Sequence, residues 1–138
     1  MKQEFSVKWI ASSQPRKQRK YLANAPLHTR HKFLSANLSK DLRKKHAKRN
    51  LPLRKGDEVL VMRGALANKK AKVTSVDLKN SRVALEGLQR AKKDGSKVNV
   101  WFSPSVLQIQ TLNLDDKKRF ESLSRAQKAE AKVQEEKK

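Results

Sequence analysis

The side chains that could do chemistry in this chain are mostly cations, and the acids and imidazoles that catalysis needs do not gather around them. His28 and His31 lie three residues apart. Histidines that bind zinc are accompanied by cysteines, further histidines or acids at close spacing, and no such partner stands beside this pair. They read as surface imidazoles near phosphates, not as a metal site. Asp57 and Glu58 are adjacent acids following Gly56. They are expected to solvate the start of a strand, not to act as a paired-carboxylate acid and base. The chain has four glycines and no Gly-rich phosphate loop, and no serine, histidine and acid stand out as a nucleophile set. Cysteine is absent, which removes disulfides and thiolate ligands. No catalytic residue, metal, cofactor or small-molecule substrate is expected, and the chain is not read as an enzyme.

What remains is positive charge. Lysine and arginine number 34 against 13 aspartates and glutamates, a net of +21 over 138 residues. A small domain carrying that charge alone repels itself, and the simplest remedy is a polyanion such as nucleic acid. A membrane surface would instead require a basic helix with a broad apolar face, and none is evident. No apolar run approaches the ~20 residues of a bilayer span, and nothing after Met1–Phe5 resembles a signal peptide. The expectation is a soluble, intracellular protein without a membrane partner. The candidate binding residues in the amino-terminal part are Arg16, Lys17, Arg19, Lys20, His28, Arg30, His31, Lys32, Arg43, Lys44, Lys45, Lys48 and Arg49. Arg54, Lys92, Lys93 and Lys97 follow further along.

The elements that must position these groups fall into three segments. Residues 1–52 carry a net of +12, residues 53–112 a net of +7, and residues 113–138 a net of +2. The first segment is poor in large apolar residues and reads as a basic RNA-binding extension whose removal leaves the rest able to fold. Pro26 can open a short helix. A second helix is expected from Lys40 to Arg49, with Ser39 as N-cap, Asp41 complementing the dipole, and Asn50 and Pro52 as stops. Leu42 is its only large apolar residue, and like charges three and four apart oppose it. Such a helix is either solvated or ordered by phosphates.

In the second segment apolar residues alternate: Val59 and Val61; Val83 and Leu85; Val98, Val100 and Phe102; Leu107 and Ile109. Period two with valine predicts short strands, separated by turns at 63–64, 79–81, 93–96 and 103–105. Five strands in so short a span suggest a small antiparallel barrel. Val73 and Val76 break the period, and a bulge would put both on one face. Trp101 alternates with Val100 and Phe102, so it points away from the interior. It can either stack on a base, as Trp9 also can, or be packed by the carboxy-terminal helix. The third segment predicts a helix capped by Asn113, with Asp115 and Asp116 in its first turn and Phe120 and Leu123 as anchors. Its pattern fades after Ala126, where fraying is expected.

The stretch Lys55-Gly56-Asp57-Glu58-Val59-Leu60-Val61-Met62-Arg63-Gly64, followed by Lys72-Val73 and Asp77, resembles a KOW motif. That motif is the strand-loop-strand unit of small SH3-like barrels in ribosomal proteins and transcription elongation factors. The resemblance places Arg63, Gly64, Asn68, Lys69, Lys70 and Lys72 on the RNA-facing loop. Asn68 and Ala71 stand where the family usually has glycine. Asn68 can still adopt a left-handed conformation, whereas the Ala71 methyl opposes positive φ and the closest backbone approach.

The flanks 24–32, 38–45 and 51–57, the turn 102–106 and the exit 112–115 resemble the KOW-bearing ribosomal protein twenty-four family of the large subunit, over about residues 20 to 125. The two extensions are similar to its eukaryotic cytosolic form, named twenty-six. The resemblance implies a mostly β fold: an SH3-like (KOW) antiparallel barrel with a basic amino-terminal extension containing short helices, and a carboxy-terminal helix. It also implies a structural role in the large subunit and contacts to neighbouring ribosomal proteins. Large-subunit ribosomal RNA would be bound in its 5′ region, near the peptide exit tunnel. The ribosome would be cytoplasmic, with nucleolar assembly if the source is eukaryotic. The alternative is a KOW module of a transcription elongation factor.

Overall fold

The computed structural model describes residues 5, 6, 8 and 12–125. Trp9 and the chain after Ala126 therefore lie outside the described residues. Two short helices, α1 (Pro15–Asn24) and α2 (Leu27–Phe33), lead into strand β1 (Ser35–Leu38), helix α3 (Lys40–His46) and strand β2 (Asn50–Pro52). Five strands follow: β3 (Glu58–Val61), β4 (Lys70–Asp77), β5 (Arg82–Ala91), β6 (Lys97–Phe102) and β7 (Leu107–Thr111). A final helix, α4, runs over 117–125. The five strands expected in residues 53–112 all form, and two more join them from the first segment.

The sheet order is β2-β1-β7-β3-β4-β5-β6. Its end strands β2 and β6 are not paired with each other, so the SH3-like sheet is not closed. All pairings are antiparallel except β1 with β7, which is parallel through Asn37–Gln108 and Leu38–Ile109. The bulge expected in the second KOW strand is present, because the β4–β5 register shifts between Val73 and Ser75. A larger shift divides β5: residues 85–88 face the single residue Val100 between the Ala84–Trp101 and Gln89–Asn99 pairs. Gly87, at φ +71, lies inside it, a backbone region that glycine enters without a Cβ penalty. Beyond the shift, residues 89–99 are exposed on both strands and form a hairpin arm.

The core comprises Leu34, Ala36, Leu38, Leu51, Leu53, Val59, Val61, Val73, Val83, Leu85, Leu88, Leu107, Ile109 and Leu123. Residues 34–51, read from sequence as part of a core-poor extension, supply four of these side chains. Leu34, Ala36 and Leu38 do alternate, but over too few residues to stand out from the charge around them, and β2 is only three residues long. Each large aliphatic side chain so buried contributes about 1.5–3 kcal/mol.

Two helix boundaries differ from expectation. Ser39 caps α3 as predicted, its side chain accepting from Leu42 N. The helix then ends at His46, with Ala47 left-handed at φ 54, and not at Arg49; Asn50 and Pro52 belong to β2. α3 leans on the core through half-buried Leu42 and buried His46, so it does not depend on phosphates for all of its packing. In α4 the cap is Asp116, whose Oδ1 accepts from Lys118 N at 2.9 Å. Asn113 instead accepts from Asp115 N. Leu123 is anchored in the core, but Phe120 is 56% exposed.

Candidate nucleic-acid interface

The predicted cations separate into two groups once the chain is folded. One group faces outward. Arg16, Lys17, Arg19 and Lys20 are exposed on α1, which buries no residue and begins at Pro15, a residue preorganised for the first helical turn. His28 and Lys32 are exposed on α2, Lys44 and Lys45 on α3, and Arg49 just beyond it. Past the far end of β3, Arg63, Gly64, Asn68, Lys69 and Lys70 are exposed; Lys72, also exposed, lies on β4 opposite Glu58, at the start of β3. Lys92, Lys93 and Lys97 lie at the tip of the β5–β6 arm.

The KOW loop closes without its usual glycines. Gly64 adopts φ +102 and Asn68 φ +63, so Asn68 takes the left-handed turn that its side chain tolerates. Asn68 N donates to Val61 O at 2.8 Å and Val61 N donates to Lys69 O at 3.0 Å. Ala71 is an extended residue of β4 opposite Val59, partly buried against the core. Its methyl group therefore meets no demand for positive φ. Arg63 donates Nη2 to Ser105 O at 3.0 Å, fixing the loop to the turn before β7.

The second group of predicted cations is engaged inside the molecule. Arg30 donates to Ala23 O and Ala25 O at 2.6 and 2.9 Å, bracing the α1–α2 junction. Arg43 donates Nε to Leu38 O at 2.8 Å. Lys48 Nζ reaches both the carbonyl and hydroxyl oxygens of Ser122 at 2.8 Å, joining the α3 exit to α4. Arg54 pairs with Asp116. His31 is half-buried, and burial, then the charges of Arg54 and Arg119, hold its pKa below the usual value. A proton is therefore disfavoured on His31 relative to a solvated imidazole.

The largest departure from expectation is at the start of β3. Asp57 does not solvate the strand; it is fully buried. Its carboxylate is bridged by both terminal nitrogens of Arg119, Nη1 to Oδ1 at 2.6 Å and Nη2 to Oδ2 at 2.8 Å. It also accepts from Arg54 N at 2.9 Å and Asn113 N at 3.0 Å. Arg119 extends the bridge to Asn113 O and Pro52 O. A buried charge is tolerable when paired and hydrogen-bonded in this way, and the bidentate fork ties β2, β3 and α4 together. Gly56 beside it, at φ +87, lies so close to Asn113 that an added Cβ would sit 2.8 Å from Nδ2. The acid next to a turn glycine was visible in sequence, but Arg119, 62 residues away, had no signal distinguishing it from the other cations. Among the described residues no group of acids and histidines could hold a metal ion, and no helix is long and apolar enough to cross a membrane.

The family described as ribosomal proteins L26 of eukaryotes and their archaeal counterparts matches residues 12–126. The large ribosomal subunit protein uL24 of Methanosphaera stadtmanae is 46% identical over 114 residues, covering 83% of this chain and 97% of that protein. The uL24 protein of Sulfolobus acidocaldarius is 44% identical over 119 residues, covering 86% and 89%. That of Korarchaeum cryptofilum is 46% identical over 116 residues, covering 84% and 88%.

Proposed function

Since this chain belongs to the family of eukaryotic ribosomal proteins L26 and their archaeal counterparts, we propose that it is built into the large ribosomal subunit by wrapping ribosomal RNA with its outward cations. It is a structural ribosomal protein and not an enzyme. The observation that carries the proposal is the way charge is distributed. The deepest acid, Asp57, is matched by Arg119, and Asp116 is matched by Arg54. The clusters on α1, the KOW loop and the hairpin tip are left facing solvent. A surface of that kind gains most from phosphate contacts, which fix position and release counterions.

In this reading α1, α2 and α3 lie along RNA helices while the sheet sets where they start. Selectivity comes from the shape of the folded RNA and from bases at loops and junctions. The 5′ region of the large-subunit RNA, a position near the peptide exit tunnel, contacts with neighbouring ribosomal proteins and a part in subunit assembly complete the proposal. The ribosome concerned is cytoplasmic, with nucleolar assembly if the source cell is eukaryotic. Nothing in the fold favours the elongation-factor module over this reading.

Titrating the full chain against large-subunit RNA over a range of salt tests it. Log affinity should fall linearly with log salt, at about 0.7–0.9 per phosphate contact. Replacing Arg16, Arg19 and Lys20 with glutamine should lower that slope by about 2 without moving the thermal midpoint. A flat salt response, or failure of the protein to sediment with large subunits after a high-salt wash, would overturn the proposal.

A further inference from the structure

A second feature lies away from the cationic clusters, at the turn between β4 and β5. Asp77 and Arg82 are cross-strand partners there, and Ser81 closes the turn at φ +52. Asp77 Oδ1 accepts from Lys79 N at 2.9 Å and from Asn80 N at 3.1 Å, while Oδ2 accepts from Asn80 Nδ2 at 2.7 Å. These bonds, the one from the Asn80 side chain foremost, hold the Asp77 carboxyl below its ordinary pKa, so it stays ionised and committed to its own turn. Arg82 and Lys79 project beside it, both exposed.

On the next strand Trp101 stands opposite Ala84, which is fully buried. Phe102, its neighbour, packs against the core, so Trp101 points outward as the alternation requires. It remains 41% exposed. Of the two roles open to it from sequence, the described residues favour the first: α4 inserts Leu123 into the core, and the Trp101 indole forms one wall of a recess. That recess, about 410 Å³, is lined by Asp77, Asn80, Arg82 and Trp101.

We propose that this recess receives a single unpaired nucleobase of RNA, stacked on the Trp101 indole and flanked by the Arg82 guanidinium. The proposal rests on the RNA-binding reading above and adds to it a contact that is not to phosphate. The chemistry of the walls selects the occupant. An indole face and a guanidinium plane are the two surfaces on which splayed bases stack, and Arg82 and Lys79 favour the approach of the phosphates on either side of such a base. A docked peptide helix would need several apolar anchors along a groove, whereas among the described residues Trp101 is the one large apolar side chain lining this recess. Bases supply a flat π-face whatever their identity, so the site reads RNA structure, an extruded base, and not sequence.

Fluorescence tests this directly, because the chain has two tryptophans and Trp9→Phe leaves Trp101 as the only tryptophan emitter. The full chain with that replacement is titrated with an adenosine decamer and with an abasic ribose-phosphate decamer of equal charge. Saturable quenching by the adenosine decamer and none by the abasic one is the expected result. In the otherwise native chain, Trp101→Ala should weaken adenosine-decamer binding by about fivefold to a hundredfold, the range for losing one stacked base. Binding of the abasic decamer should be unchanged, and Trp101→Phe should restore most of the affinity. Trp101→Leu keeps an apolar cover over Ala84 without an aromatic face, and should behave as Trp101→Ala even if the alanine variant unfolds. Equal quenching by both decamers, or by deca-glutamate, overturns the base site, as does unchanged affinity in Trp101→Leu. Either result leaves phosphate binding standing, whereas absence of binding to both decamers overturns the two readings together.

Discussion

The two ends of strand β3 use charge in opposite ways. At its start, Asp57 is sealed from water and gripped by Arg119 with two short hydrogen bonds. Just past its other end, Arg63 opens a loop that leads through Lys69 to Lys70 at the start of β4, and all three face solvent. The same strand thus carries a closed electrostatic joint at one end and an unneutralised cationic surface at the other. The difference follows from burial. A guanidinium in the interior must be matched by a fixed partner, because desolvating it alone costs several kcal/mol. A lysine in water loses nothing by waiting for a mobile or absent anion. Arginine at the joint also fits a carboxylate with two parallel bonds, which lysine cannot do.

The contrast can be broken most severely at its amino-terminal support. Removing residues 1–52 takes away β1, β2, and Leu34, Leu38 and Leu51 from the core. At about 1.5–3 kcal/mol per large side chain, that loss rivals the ~5–15 kcal/mol stability of a whole small domain. Cooperative unfolding should disappear in calorimetry. Removing only residues 1–33 should leave a cooperative transition while weakening RNA binding, because α1 carries cations but no core. A truncation at 52 that still unfolds cooperatively would show that β1 and β2 are ornaments on an independent barrel.

Next in size is the joint itself. Asp57→Asn leaves Arg119 buried beside a neutral amide and should cost about 3–5 kcal/mol, the usual penalty for orphaning one member of a buried pair. Chemical denaturation measures it. A loss under about 1 kcal/mol would mean that the joint is far more hydrated than its burial implies. RNA affinity measured where the variant is folded should change little, which separates the joint from the cationic end.

The smallest effect concerns pH. His46 is buried on the α3 side, and its Nδ1 has no hydrogen-bond partner among the described residues. Burial, then the charges of Lys45 and Lys48, hold its pKa below the ordinary 6.5; His31 is shifted in the same direction. A histidine whose folded pKa is depressed takes up its proton first in the unfolded chain. Its contribution to stability is therefore complete above about pH 6.5 and declines as pH falls below it, towards the folded value. Denaturation midpoints should drop between about pH 7 and pH 5, and His46→Gln should flatten part of that drop. An unchanged slope in His46→Gln would assign the pH dependence to other groups.

Much of this protein could be read directly from its residues. The excess of cations, the absence of any catalytic constellation, the five alternating strands with their turns, the Ser39 cap and the bulge after Val73 were all legible. Each depends on local periodicity, local backbone preference or total charge. The ordered motifs from residue 20 to 125 likewise carried the family. Which cations remain available, however, depended on where the chain returns. Arg30, Arg43, Lys48 and Arg54 look no different in sequence from Arg16 or Lys69, yet the fold turns their donors toward carbonyls, Ser122 and Asp116. The core role of residues 34–51 was hidden for a similar reason. Leu34, Ala36 and Leu38 alternate, but so short a run acquires its core role only by pairing with β2 and with β7, far along the chain. Composition set the sign of the surface. Only tertiary contact decided which charges form it, because the energy of a charge depends on its burial and its neighbours, and those are fixed by residues distant in sequence.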